Sequence, residues 1–493
     1  MAVDVLPVAS LEGSSQNLFR QRRRAVGVAA LIVFVLTGWL ALEISRGILA
    51  QTDELLTAER TREMLMTEPW VIHYNFERSF EKPPLQYWLN MLTLPRFENR
   101  AVAVRIWSLV YASLTAIVLG WLAFLVEPTR PWLIPLSVAI LVSCPLFPTE
   151  ATRAMLDIGL TFFTTLTIAF SELARKRPAW WLAVAVACWL ASLQKVPLPF
   201  LVWVLIVLVR LTSRDERAPL RSGMSWLVGS VLLALAAMSI WPLLQLIKYE
   251  MPVGSTFHQE VVVWLGPEGL GRRPYFEVLF GLCLAGGVGG LFLLLAPFVT
   301  LLSKREKPSP AVREIAIISL AVIALTIISN FRGVRYILPI LPCLCFLLAL
   351  VFYRFLERGP VVRARTIIAL VVILSAGLVQ AELKIILRQK DVADEKVIAE
   401  KLGALQQPGT KTVLVEAKNL GGDLMWDSFY LFHGNFRFPL ERHTVDEIRR
   451  DPPKPPVIGA CVARDFSAVR EVYPTVQVQF TRAQFICWYV AGP

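Results

Sequence analysis

The chain is poor in charge: 18% of its 493 residues are Asp, Glu, Lys or Arg, against 55% apolar residues and a mean hydropathy of +0.56. So few ionic side chains cannot clothe a single water-soluble core, and that class of protein is excluded. A CxxC pair, a serine or cysteine nucleophile arrangement and an internal repeat are also missing. Thiol redox motifs, acyl-transfer triads and solenoids drop out with them. The string AGGVGG, Ala285 to Gly290, lacks a strand-turn-helix setting and lies inside an apolar run. It fits close helix packing and not a phosphate loop. No small-residue cleavage site clearly follows the first apolar run, so a retained span is expected in place of a cleaved signal.

What the chain has is apolar runs long enough, or nearly so, to cross about 30 Å of hydrocarbon. They cover about 25 to 44, 102 to 125, 132 to 148, 154 to 173, 179 to 194, 196 to 211, 225 to 247, 276 to 302, 314 to 329, 336 to 353 and 366 to 384. An α-helical polytopic membrane protein with about 11 transmembrane helices, and at most about 13, is expected. The runs flanking Lys195 could instead form one broken or re-entrant element. Alternate connections carry the basic strings RQRRR (Arg20 to Arg24), EPTRP, ARKRP, RLTSRDERAPLR, SKREKPSPAVRE and YRFLERGPVVRAR. They put those connections and the N-terminus inside. The net charge of +12 is thereby explained as a topology signal, and no motif supports a nucleic-acid partner.

The outer side receives a loop over 45–101, short connections near 149–153 and Lys195, a loop over about 248–275, and everything after about 385. The expected division is 1–384, a membrane domain, and 385–493, a small periplasmic α/β domain in which KTVLVEA, PPVIGACV, TVQVQF and FICWYV read as strands and TVDEIRR as helix. Of the seven cysteines, Cys461 and Cys487 lie in two of these strands. An oxidising compartment would let them pair, with two buried free thiols as the alternative.

In FEKPPLQYWL, Phe80 to Leu89, Pro83 and Pro84 suit the start of a helix on which Leu85, Trp88, Leu89 and Leu92 form one apolar stripe. A helix on the outer membrane surface is expected, with Glu81 and Lys82 just before it and Tyr87 at the interface. Lys82 would then meet a lipid phosphate or simply snorkel. Other polar residues on the outer side are Asp53 and Glu54 after the first span, Arg153 and Asp157 at the start of the fourth, and Lys195. The late outer loop adds His258, Glu260, Arg272 and Arg273, and Arg332, Arg335 and Tyr336 open the tenth span. Asp157 begins a long apolar run, where an ionised group requires a partner, for which Arg153 is the simplest choice, or a function.

Taken in order, Asp53-Glu54, FEKPPLQYWL, RAMLDIGLTFF, LASLQKVP and RYILPILP resemble the polyprenyl-phosphate-sugar glycosyltransferases of the GT-C fold, in particular the 4-amino-4-deoxy-L-arabinose transferase and protein O-mannosyltransferase group. The resemblance covers about residues 30 to 355. It departs where relatives follow the acidic pair with Arg-Tyr and this chain has Leu55, Leu56 and Thr57. The resemblance implies a periplasm-facing cavity in a bacterial inner membrane, a polyprenyl-phosphate-linked sugar donor, a lipid, glycan or protein acceptor, and inverting transfer. It also implies Asp53 as base or acceptor-orienting carboxylate, Asp157 as second acid and Lys82 as donor-phosphate ligand.

Departure of the sugar builds negative charge on the phosphate, so fixed cations lower the barrier. Lys82, Lys195 and one of Arg272, Arg273 or Arg335, with Tyr336, are the expected donor contacts. A hydroxyl acceptor requires a base, whereas a phosphate acceptor requires only positioning. No cofactor is required on this view, and Glu81 with His258 is a sparse pair for a divalent metal. The competing classes are a lipid or sugar transporter, which tends to hold coupling charges near the bilayer midplane, and a non-catalytic assembly subunit.

Overall fold

The computed structural model describes residues 8–195, 197–254, 280–281, 283–284, 286–303, 306–328, 334–416 and 424–492. The positions proposed for His258, Glu260, Arg272, Arg273 and Arg332 lie outside these residues. The chain forms two compact units, one of 1–44 with 105–386 and one of 45–104 with 387–493.

The first unit is helical. Among the described residues seven helices are long and apolar enough to cross a membrane: Gln16–Ile44, Arg100–Val126, Leu156–Ala174, Met224–Tyr249, Pro310–Ile328, Val334–Leu356 and Pro360–Leu387. Leu133–Ser143, Pro178–Gln194, Leu198–Thr212 and Gly287–Leu302 are shorter apolar helices. Every apolar run of the sequence thus has a helix beneath it, but the run at 132–148 is divided. Leu133–Ser143 ends at Cys144, which is extended (ψ 111°) because Pro145 follows, and a separate short helix, Leu146–Ala151, comes next. The run ending at Gln194 and the run beginning at Leu198 are separate helices, with Lys195 at the break.

The second unit joins the loop that follows the first apolar helix to the C-terminal segment. This differs from the division expected at 384/385, and the reason lies in a 15-residue helix, Thr52–Met66, that the loop conceals. Its two buried arginines do not repel because each has an acidic partner: Arg62 grips Glu59 through two nitrogens at 2.6 and 2.8 Å, and Arg60 meets Glu81 at 2.5 Å. Arg62 also donates to the Phe436 carbonyl at 2.7 Å. A hairpin follows, of strands β1 (Ile72–Tyr74) and β2 (Glu77–Ser79), with Asn75 and Phe76 both at positive φ (53° and 65°). The Asn75 amide then exchanges two hydrogen bonds with the backbone of Leu440, at 2.9 and 2.8 Å. His433 bonds the Leu49 carbonyl at 2.9 Å. With these ties the loop is part of the α/β domain.

The domain's sheet comprises β3 (Lys411–Glu416), β4 (Leu440–Thr444), β5 (Val457–Val462), β6 (Gln477–Arg482) and β7 (Phe485–Val490), in the order β4-β3-β5-β7-β6. The β3 strand is parallel to β4 and β5, and β7 is antiparallel to β5 and β6. The strands expected from KTVLVEA, PPVIGACV, TVQVQF and FICWYV are all present. TVDEIRR forms a helix, Val445–Arg450, closed by a capping box between Thr444 and Glu447. Trp488 lies over Gly459, where an added Cβ would come within 2.2 Å of the indole, so glycine is required there.

The proposed Cys461–Cys487 disulfide is absent; both are buried free thiols. The register explains this: Ala460 pairs with Cys487, so Cys461, one residue on, points to the opposite face of the sheet.

Candidate functional site

In the membrane unit Asp157 occupies the first turn of Leu156–Ala174 and is 2% exposed. The residue paired with it is Lys195, whose ammonium lies 2.6 Å from Oδ1. Arg153, the simplest partner by sequence, bonds Glu150 instead, at 3.2 and 3.3 Å. The tetrad of sequence positions Asp157, Lys195, Arg335 and Tyr336 is brought together by aromatic contacts. The Lys195 ammonium lies 5.3 Å from the Tyr336 ring centroid and the Arg335 guanidinium carbon 5.5 Å from the same centroid.

Two residues that sequence reasoning passed over fix this geometry. Gln194 is fully buried, donates to the Leu156 carbonyl at 3.2 Å and accepts from the Tyr111 hydroxyl at 3.5 Å. It thereby ties the end of the Lys195-bearing helix to the turn that carries Asp157. Gly159 permits the approach, because a Cβ there would fall 2.4 Å from the Gln194 amide nitrogen. A buried polar residue next to the lysine was the one available signal.

In the second unit, Asp53 and Glu54 form the acidic first turn of Thr52–Met66, which suits the positive end of a helix dipole. Asp53 is half-buried and Glu54 is buried. Leu55, where the resemblance departs, is fully buried and serves packing. The helix expected after the double proline is Leu85–Thr93, with Pro84 as its cap residue. Its polar face is turned inward: Gln86, Tyr87, Asn90 and Thr93 are buried, while Leu92 is 52% exposed. Trp88 packs edge-on against Trp70 and donates to the Pro69 carbonyl at 2.7 Å. Lys82, half-buried, and Glu81, bonded to Arg60, stand just before this helix.

The charged residues on the inner turns of Thr52–Met66 were not foreseen, although Glu59, Arg62 and Glu63 have the three- and four-residue spacing of helical ion pairs. Glu63 is fully buried and accepts from the Phe76 amide at 2.8 Å. Burial, with the Glu59 carboxylate beside it, pushes its carboxyl up to about 8. Burial also lowers His433 to about 4. Among the described residues no group of three or more His, Cys, Asp or Glu could hold a metal ion.

Helical spans with a small α/β unit define the class as a polytopic membrane protein, and the comparisons give its fold. The family described as dolichyl-phosphate-mannose-protein mannosyltransferase matches residues 25–248. Among curated relatives, the undecaprenyl phosphate-alpha-4-amino-4-deoxy-L-arabinose arabinosyl transferase 2 of Sodalis glossinidius is 33% identical over 189 residues, covering 37% of this chain and 34% of that protein. The chain therefore spans about a third of the curated relatives' length in these matches. Among solved structures, ArnT from Cupriavidus metallidurans bound to undecaprenyl phosphate superposes with a TM-score of 0.70 at 18% identity, over 95% of this chain and 98% of that one. The mycobacterial arabinofuranosyltransferase AftD gives 0.59 at 14% identity, over 96% and 40%. The resemblance read from the sequence is borne out, and the fold is GT-C.

Proposed function

We propose that this chain is an integral membrane glycosyltransferase that moves a monosaccharide from a polyprenyl-phosphate donor to a lipid or glycan acceptor on the outer side of a bacterial inner membrane, with inversion. The observation that carries this is the Lys195 ammonium, held 2.6 Å from Asp157 and over the Tyr336 ring at the break between two helices. A lysine so fixed can meet a phosphate that gains charge as the sugar leaves. Asp157 orients it and is the candidate second acid. The names of the curated relatives, arabinosyl transferases of an undecaprenyl-phosphate-linked aminopentose, favour a lipid-linked pentose as donor.

Asp53 is the candidate base for a hydroxyl acceptor, with Glu54 beside it, and Lys82 a second donor-phosphate ligand. Arg335 adds a second cation at the Tyr336 ring beside Lys195. The exposed stripe of Leu85–Thr93, together with Trp70 (52% exposed) and Met66 (47%), suits contact with lipid head groups. A transporter is less well supported, because Asp157 sits in the first turn of its helix and not at mid-span.

The test is direct. Full-length protein in detergent is given an undecaprenyl-phosphate-linked aminopentose and a lipid acceptor, and released undecaprenyl phosphate is measured. Release dependent on acceptor is expected. Vesicle experiments in which the intact donor changes leaflet while no undecaprenyl phosphate appears would establish the transporter instead.

A further inference from the structure

A second feature of the membrane unit stands apart from the charged residues above. Between the helices Val8–Ile44, Arg100–Val126 and Leu133–Ser143 runs an apolar groove of about 540 Å³. That volume falls within the range of about 300–1,000 Å³ usual for ligand sites. Its first wall is one helical face, Val26, Ala29, Ala30, Val33 and Phe34. Its floor is recessed because Ala116 and Gly120 are small. A Cβ on Gly120 would lie 3.3 Å from Ile134 in the third helix, so the floor has little more room to give. Phe34 (75% exposed) and Ile117 (53%) form the rim.

The groove ends at a basic mouth. Phe124 lines it, and the Arg22 guanidinium carbon lies 5.5 Å from that ring's centroid while Nη2 donates to the Pro128 carbonyl at 2.9 Å. Arg23, exposed, adjoins the same helical face, while Arg20 and Arg24 are exposed on other faces of the helix, and no acidic residue interrupts the cluster in the sequence. From Arg24 to Phe34 the helix rises about 15 Å, which is about one leaflet of hydrocarbon.

We propose that this groove binds one anionic phospholipid of the inner leaflet, with an acyl chain along Ala29, Ala30 and Val33 and its phosphate on Arg22 and Arg23. Length, apolar lining and cationic mouth all match that chemistry. A second copy of the chain packed about a two-fold axis would bring its own arginine cluster against this one, and like charges disfavour it. The groove shares no residue with the catalytic assignment and does not depend on it.

The test uses full-length, delipidated protein incubated with dioleoylphosphatidylglycerol or dioleoylphosphatidylcholine, with bound lipid counted by mass spectrometry of the intact protein. Wild type is expected to retain the anionic lipid at least about tenfold better, and Arg22→Gln and Arg23→Gln each to reduce that preference about fivefold. Because these arginines also set topology, Ala30→Phe is the second variant: it leaves the cluster intact, blocks the groove and should abolish retention of both lipids. Equal retention of the two lipids by wild type, or undiminished retention by Ala30→Phe, overturns the proposal. So does an Ala30→Phe change from dimer to monomer, or displacement of the phosphatidylglycerol by added undecaprenyl phosphate.

Discussion

The helix Leu156–Ala174 carries a buried carboxylate at each end, Asp157 and Glu172, about 22 Å apart along its axis. The two ends are built differently. At the Glu172 end, Arg210 grips Glu314 through two nitrogens at 2.8 and 2.9 Å and meets Glu172 at 3.3 Å. Arg175 joins Glu172 and Glu314 at 2.8 Å each and also bonds Glu216. Planar guanidinium forks matched to carboxylates leave little for a ligand to take. At the Asp157 end, among the described residues, one lysine makes one carboxylate contact and lies over an aromatic ring. An ammonium carries three donors on a flexible stem, so this end can accept a further anion. Buried charge alone therefore does not mark a functional site; the kind of cation and the saturation of its partners do.

The largest effect expected is at the saturated end. Arg210→Met leaves buried carboxylates uncompensated and should cost about 3–5 kcal/mol of stability, read as a lower unfolding temperature, while transfer per folded molecule stays near wild type. Asp157→Asn, nearly isosteric, should do the reverse: it costs less stability than Arg210→Met, because one partly exposed ammonium loses one contact, and transfer per folded molecule falls about 100-fold. If both variants lost activity and stability in equal proportion, the contrast between the two ends would fail.

Most of this fold was legible from hydrophobic runs and strand alternation, because burial in lipid or in a sheet imposes both. The Thr52–Met66 helix was not. It buries Glu59, Arg60, Arg62 and Glu63, and its charges imitate a solvated loop until their partners are known. The cysteine pairing failed for a related reason, since a one-residue difference in register moves a side chain to the other face of a sheet. The Asp157–Lys195 pair joins residues 38 apart in sequence, so composition could nominate both without linking them. Its support by Gln194 and Tyr111 is tertiary and leaves no local pattern.

Within the second unit the comparison can be sharpened at Glu63. Its carboxyl is raised from 4.5 to about 8, so the folded state holds it protonated where the unfolded chain is ionised. The resulting stability is fully present below pH 4.5 and is lost as pH rises through 8. Glu63→Gln can still accept from the Phe76 amide but cannot ionise. It should match wild type near pH 4 and be more stable by about 5 kcal/mol near pH 9, as thermal unfolding across pH would record.

Lys82→Ala should weaken donor binding by about tenfold, as expected for losing a hydrogen bond to a charged group. Lys82→Arg should keep affinity but slow transfer, because the wider fork displaces the phosphate. Binding and single-turnover rates at wild-type values for Lys82→Ala would reduce the lysine to a membrane-surface anchor. The smallest effect concerns the thiols of Cys461 and Cys487, which burial pushes up to about 12. Adding reductant should leave the unfolding temperature unchanged, and peptide mapping without reductant should find no linked pair.

Single-turnover transfer from a polyprenyl-phosphate-linked sugar, measured side by side for wild type, Asp157→Asn, Lys195→Ala and Arg210→Met and normalised to folded protein, tests the central claim most directly. Losses of about 100-fold are expected for the first two variants and near-normal transfer for Arg210→Met. Near-normal transfer by Asp157→Asn and Lys195→Ala, with the deficit in Arg210→Met instead, would contradict that claim.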